Sequence, residues 1–504
     1  MSELLDKLKE INAKLANFTT ISELLYWDMR TIMPEGGFEA HANAMDYIQT
    51  ESFRLSNSDE LFEILKGLSE PEEWDQLDDM WKFIVKTMRE DQERSRRIPE
   101  EVFRRAVAIT TESEHAWEEA KQASDFSIFA PHLKKQIEIT KEIKSYTHPE
   151  MELYDALLND YEKGMDSATI DRIFSELREG LVPLVRQILA DKQPDDSKFR
   201  RKFDTEAEKK VQKYLLSYIG FDWERGTTAE SEHPFTLDLT CSDVRVTNHF
   251  REDDVIDPMF SAIHEGGHAI FEQNVNPEYK DTEAGGCSYL GIHESQSRFF
   301  ENILGRNINF WKPIYADIQK LQPELADVSL EEFAREINHV QASMIRTAAD
   351  EVTYCLHVIL RYEVEKAIFR EGVAVEDLPA LWNSKMKEYL GIVPKNDAEG
   401  ILQDMHWSDG SFGYFPTYLL GSIYDGMFLE AMEAELGSVD TLLADGKIDE
   451  IRGWLNRKIH WYGNTRLPKE VLQAVCGREA TAQPLLRYFR EKYARYYPNV
   501  KNLK

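Results

Sequence analysis

Apolar residues recur at helical spacing along almost the whole of this 504-residue chain. Leu4, Leu5, Leu8, Ile11 and Leu15 open the pattern, and Trp74, Leu77 and Trp81 repeat it inside an acidic stretch. It returns near residues 131–145, 168–190, 205–219, 330–370 and 485–497. Spacings of three and four put such side chains on one helix face, and the Glu, Lys, Arg and Ala between them favour helix. A mainly α fold follows. One stretch departs from it. Phe235, Leu237, Leu239 and Cys241 alternate with polar residues, and Val244 and Val246 resume the alternation one register later. Period two predicts a strand or hairpin pair there. No Pro/Gly/Ser-rich linker and no internal repeat divides the chain, so residues 1–504 are expected to form one helical body rather than separable modules.

Charge narrows the partners. Sixty Lys and Arg stand against 91 Asp and Glu, a net charge of -31. Such a surface repels phosphate backbones and anionic membranes, so neither nucleic acid nor a membrane is expected as partner. The opening residues lack the basic start and apolar run of a signal peptide, and no apolar run is long enough for a membrane helix. Cys241, Cys287, Cys355 and Cys476 are scattered with no CxxC pair, which argues against a disulfide framework or a thiolate zinc site. A reducing cytoplasm is the expected compartment.

The alternating stretch runs into the most informative helix. His264 and His268 stand four apart with Glu265 between them, so both imidazoles leave one helix face. In this HExxH spacing two histidines hold zinc and the Glu activates water. Gly266 and Gly267 are poor helix formers, which points to a close approach of backbone or substrate. Catalytic zinc needs a third ligand and an open position. Glu294, in Ile292-His-Glu-Ser-Gln-Ser-Arg298, is the candidate. His293 is its rival, but adjacent residues on a helix point about 100° apart, so both do not serve together. A second cluster, Gly400 to Tyr418, offers His406, Tyr414 and Tyr418 as donors to a developing oxyanion; without the zinc motif it would read as aromatic core and turn.

Taken in order, His233-Pro-Phe235, Asp243-Val-Arg-Val-Thr247, His264-Glu-Gly-Gly-His268, His293-Glu-Ser-Gln296, Ile345-Arg-Thr-Ala-Ala-Asp350 and Gly400-Ile-Leu-Gln-Asp-Met-His-Trp407 resemble the motif series of the carboxypeptidase Taq family of zinc metallocarboxypeptidases. The opening Leu24 to Gly37 is similar to that family's start, so the resemblance spans nearly the whole chain. It implies a two-lobed, mostly helical body with a deep cleft, with the predicted small β-sheet or hairpin beside the HExxH helix. It implies a cytoplasmic homodimer holding one zinc per chain, replaceable by cobalt. The implied activity is release of single C-terminal residues from peptides with broad specificity, C-terminal proline being disfavoured. The implied metal ligands are His264, His268 and Glu294, with Glu265 as general base.

An exopeptidase of this kind needs a cation for the free carboxylate, ideally a bidentate arginine. Arg346 is the first candidate and Arg245 the second, with Arg346–Asp350 and Arg245–Asp243 salt bridges as the ordinary alternatives. Arg245 shares a strand face with Asp243 and Thr247; these two, Gln403 and Tyr418 complete the candidate cleft residues. In related dipeptidases a carboxylate four residues after the ligand Glu braces a zinc histidine, but here Arg298 fills that position. Glu301 and Asp350 are the substitutes. A zinc oligopeptidase or peptidyl-dipeptidase shares this chemistry and differs at the end of its cleft. A non-catalytic scaffold with a relic motif is the bland alternative, and no GAMEN-like segment supports an aminopeptidase.

Overall fold

The helical stripes become helices packed by their apolar faces. The computed structural model describes residues 3–287 and 289–502. Leu5, Leu8 and Ile11 of the first helix, Glu3–Thr31, are buried with Leu61, Ile64 and Leu65 of Asp59–Leu68 and Ile84 and Val85 of Asp79–Arg97. These residues form a small core of their own, and a second, much larger core takes the rest of the chain. Each buried Leu or Ile contributes roughly 1.5–3 kcal/mol relative to exposure. Predicted helices at 131–145, 168–190 and 205–219 correspond to Phe126–Thr147, Ser167–Ala190 and Thr205–Ile219, and 485–497 to Gln483–Tyr493. No helix among the described residues is long and apolar enough to cross a membrane.

Two stripes are interrupted. Trp74 ends the short helix Pro71–Trp74, and Asp78 restarts helix by accepting from Trp81 N at 2.8 Å. The run 330–370 breaks in the same way. Leu330–Glu336 ends early, an irregular segment and the 3-10 turn Arg346–Ala348 follow, and Asp350 caps Glu351–Lys366 by accepting from Val352 N and Thr353 N. A side-chain oxygen at an N-cap satisfies donors that a continuing helix would have satisfied itself.

The alternating stretch forms a hairpin, β2 (Thr236–Thr240) and β3 (Asp243–Asn248), with β1 (Gly226–Glu230) on the other side of β3. β1 runs parallel to β3, pairing Gly226 with Val244, and β2 runs antiparallel, pairing Leu237 with Arg245. β1 has no apolar alternation, so its sequence carries no strand signal. Val244 and Val246 are fully buried, and β3 packs against the helix Ile256–Gln273, which bears the HExxH motif. Among the described residues β2 is an edge strand, beside the same helix and against Glu3–Thr31.

Candidate metal centre

The motif helix opens with Asp257 and Pro258, a charge suited to the helix dipole and a ring that needs no N–H donor in the first turn. Apolar residues are buried around its whole circumference, from Met259 and Phe260 through Ile263 to Ile270 and Phe271. It is therefore a central helix, not a surface one. Its partner, Leu290–Arg298, continues into a π-helical turn, Phe299–Gly305. The start of that partner is fixed from outside. Glu162 accepts from Gly291 N at 3.0 Å and from Tyr424 Oη at 2.7 Å, and Tyr161 O accepts from Leu290 N at 3.3 Å.

Two glycines let the partner helix sit close. A Cβ on Gly267 would lie 2.7 Å from Ser297 Cα and 2.8 Å from Gln296 O. On the other side, a Cβ on Gly421, in the helix Phe415–Leu436, would lie 2.9 Å from Ser295 N. The Glu294 helix is thus gripped between two notches. Gly266 instead faces Ile219 and Leu216.

This packing brings together one donor atom each from His264, His268 and Glu294, all within 4.8 Å of one another. His268 Nε2 and Glu294 Oε2 stand 3.7 Å apart, too far for a hydrogen bond. His264 Nδ1 is held by Glu301 Oε2 at 2.8 Å, which leaves Nε2 for the cluster. Burial and the charges of His293, His264 and Arg298 hold His268 well below its ordinary pKa, keeping the ring neutral as a ligand must be. Two imidazoles and a carboxylate with a fourth position open suit a divalent ion with catalytic access. His293 turns away: its Nε2 meets Glu272 Oε1 at 2.8 Å, while its ring stacks on His268 at 4.3 Å. Burial lowers His264, but the Glu301 hydrogen bond and the nearby carboxylates outweigh it and raise it to about 9, so this ring would give up a proton on binding a cation.

Glu265 lies beside the triad and is buried. Its Oε2 accepts from Thr236 Oγ1 at 2.7 Å, and the same hydroxyl reaches the Glu265 carbonyl at 2.9 Å, so the edge strand fixes the carboxylate. Burial raises its pKa, with His264 and the Thr236 bond opposing. A cavity of about 420 Å³ is lined by Glu265, His268, Glu294, Tyr414 and Tyr418. A neighbouring one of about 690 Å³ meets His264, Glu265, Arg298, Glu301 and Tyr354.

The remaining sequence candidates lie elsewhere or are already engaged. His406 does not line these cavities; it sits behind Tyr418, with Nε2 3.4 Å from Oη, and burial lowers it to about 4. Arg245 gives Nε and Nη2 to Asp243, and its guanidinium lies over Trp27, on the sheet face opposite the buried valines. Arg346, in the 3-10 turn rather than a helix, gives Nε and Nη2 to Asp404 and Nη1 to Tyr354 Oη. Neither arginine presents a free fork, and the partner of Arg346 is Asp404, not Asp350. Thr247 is buried and braces Ser231 and Phe235. Gln403 accepts from Arg346 N and Arg361 Nη2, so it supports the Asp404 cluster rather than the cleft. Of the two proposed braces, Glu301 holds a histidine, and Asp350 caps a helix. Thr236 and Tyr354 escaped the sequence reading. The bond from Arg298 Nε to Glu294 Oε1, 2.6 Å, did carry a signal in its i,i+4 spacing.

Known proteins share this fold and sequence along nearly the whole chain. Residues 7–493 match the family described as carboxypeptidase Taq (M32) metallopeptidase. Carboxypeptidase 1 of Bacillus subtilis is 40% identical, covering 98% of both chains. Thermostable carboxypeptidase 1 of Thermus thermophilus is 37% identical over 97% of this chain and 98% of its own. The M32 carboxypeptidase of Deinococcus radiodurans superposes with a TM-score of 0.95 at 33% identity, covering 99% of this chain and all (100%) of that one. The chain belongs to the carboxypeptidase Taq (M32) family and is a metallocarboxypeptidase, a peptide-bond hydrolase dependent on a divalent metal ion.

Proposed function

We propose that the enzyme releases single residues from peptide C-termini at one zinc ion per chain, held by His264, His268 and Glu294. The observation that carries this reading is the three-donor cluster with buried Glu265 beside it in an accessible cavity. The nitrogen and carboxylate donors suit zinc, and imidazole also accepts cobalt. The ion supplies Lewis acidity toward a water and the scissile carbonyl. Glu265 takes a proton from the attacking water, whose oxygen bonds to the carbonyl carbon. As the C–N bond breaks, Glu265 returns that proton to the leaving amine. Thr236 orients the carboxylate for both transfers. Tyr414 and Tyr418, with pKa values raised by burial, stay protonated and donate to the developing oxyanion.

Broad side-chain tolerance and poor release of C-terminal proline belong to the same reading, since proline's ring fixes φ and removes the N–H of the scissile bond. Four free cysteines agree with a cytoplasmic setting. Homodimerisation is supported by the helix Phe38–Ser56, which has no buried residue. Phe38 and Tyr47 are 60% and 64% exposed there, near exposed Ile32 and Phe53. Exposed apolar side chains concentrated on one such helix mark an association surface.

The test is mass spectrometry of a peptide incubated with zinc-loaded enzyme beside its C-terminally amidated twin. The reading expects a ladder of single losses from the acid and none from the amide. Dipeptide or internal products would move the assignment to a peptidyl-dipeptidase or oligopeptidase.

A further inference from the structure

Arg298 stands one helical turn beyond Glu294 on the same face. Its Nε donates to Glu294 Oε1 at 2.6 Å, and its guanidinium carbon lies 4.0 Å from the centre of the Tyr354 ring. The side chain is only 10% exposed. Its two terminal nitrogens nevertheless make no hydrogen bond among the described residues, and the residue lines the larger cavity with His264, Glu265 and Tyr354. The free fork opens on that cavity, where a planar carboxylate could fill it.

The other arginines nearby are engaged. Arg245 and Arg346 give their forks to Asp243 and Asp404. Arg306 gives Nε, Nη1 and Nη2 to Asn302, Ile337 O and Glu301. Arg200 and Arg251, at the rim of the cavity, are 56% and 48% exposed and pair with Asp196 and Asp257.

Position matches chemistry. The Glu294 carboxylate turns Oε2 toward His268 and Oε1 toward Arg298, so the free fork lies just beyond the metal ligands. Adjacent Cα atoms of a peptide are about 3.8 Å apart. A scissile carbonyl at the triad therefore sets the α-carboxylate of the next residue within reach of that fork, and two more residues would overrun it. A planar fork binds a carboxylate through two parallel hydrogen bonds.

We propose that Arg298, rather than Arg346 or Arg245, receives the α-carboxylate of the residue to be released, and thereby sets the one-residue register of cleavage. This rests on the carboxypeptidase reading above. Tyr354 lies under the guanidinium, its ring centre 4.0 Å from the guanidinium carbon, and packs the fork in place.

The experiment compares acetyl-alanyl-phenylalanine with its C-terminal amide on wild type, Arg298→Lys and Arg346→Lys. Lysine keeps a cation beside Glu294 and removes the fork. Two readouts are taken: the acid-to-amide ratio of kcat/KM on the zinc-loaded enzyme, with metal content measured, and calorimetric binding of both compounds to the metal-free protein. The second readout does not depend on the ion. The expected result is that wild type favours the acid and that Arg298→Lys loses about tenfold to a hundredfold of that preference in both assays. Arg346→Lys keeps it. Preference retained in Arg298→Lys, or lost only in Arg346→Lys, overturns the proposal. Wild type that does not distinguish acid from amide overturns the carboxypeptidase reading itself.

Discussion

His264 Nδ1 lies 2.8 Å from Glu301 Oε2, and the other oxygen of Glu301 takes Arg306 Nη2 at 3.2 Å. The carboxylate therefore holds the tilt of a proposed metal-ligating ring and is itself held from behind. Removing such a partner typically weakens metal binding about ten- to a hundredfold. Glu301→Ala is expected to lose affinity by that factor in chelator competition, with the helices intact by circular dichroism. Unchanged affinity would show that Glu301 does not orient the ring.

Glu162 is buried under the first turn of the Glu294 helix, and burial raises its pKa from 4.5 to about 7, its hydrogen bonds from Tyr424 and Gly291 opposing. The folded protein thus holds this proton more tightly than the unfolded chain. The associated stability is present below the ordinary carboxylate range and is lost as pH rises from about 4.5 through about 7. The loss amounts to about 3 kcal/mol above that window. Glu162→Gln keeps an acceptor for Gly291 N and a partner for Tyr424 Oη. It should unfold later than wild type in urea at pH 8 and converge with it near pH 4.5. A difference that does not change with pH would contradict this.

Gly267 meets backbone, not flexible side chain, on the Glu294 helix. Gly267→Ala must push the two helices apart, at about 1–3 kcal/mol. Both a lower melting temperature and weaker metal binding are expected, since the same contact positions Glu294 against His268. A melting temperature equal to wild type would mean the contact is looser than it looks.

The exposed apolar side chains of Phe38–Ser56 give a further check. Replacing Phe38 and Tyr47 together with Glu puts charge on both sides of that helix without touching either core. Light scattering after gel filtration should find dimer for wild type and monomer for the double variant. A dimer that survives both changes places the interface elsewhere.

Much of this was legible in the residues. The HExxH pair, the candidate Glu294 and the strand beside them follow from spacing, because helix and strand periods are local properties. What escaped depends on how elements meet. The π-helical turn after Arg298 sets where Glu301 falls against His264, and no apolar pattern reports it. Arg346 and Arg245 looked available because a fork's partner, Asp404 in the first case, is a matter of tertiary packing. The break before Glu351 was readable in principle from Asp350 as a cap, but the apolar stripe on either side masked it. β1 has five residues and no apolar alternation, so only its parallel partner β3 defines it.

The proposed division of labour has three side chains hold the ion while Glu265 moves the proton. Glu265→Gln separates the two. Metal content and peptide hydrolysis measured on the same preparation should give one ion per chain, bound as in wild type, and a rate lower by roughly 10²–10⁴. Full activity with metal retained would contradict the role of Glu265, and loss of the metal would make that residue part of the binding site instead.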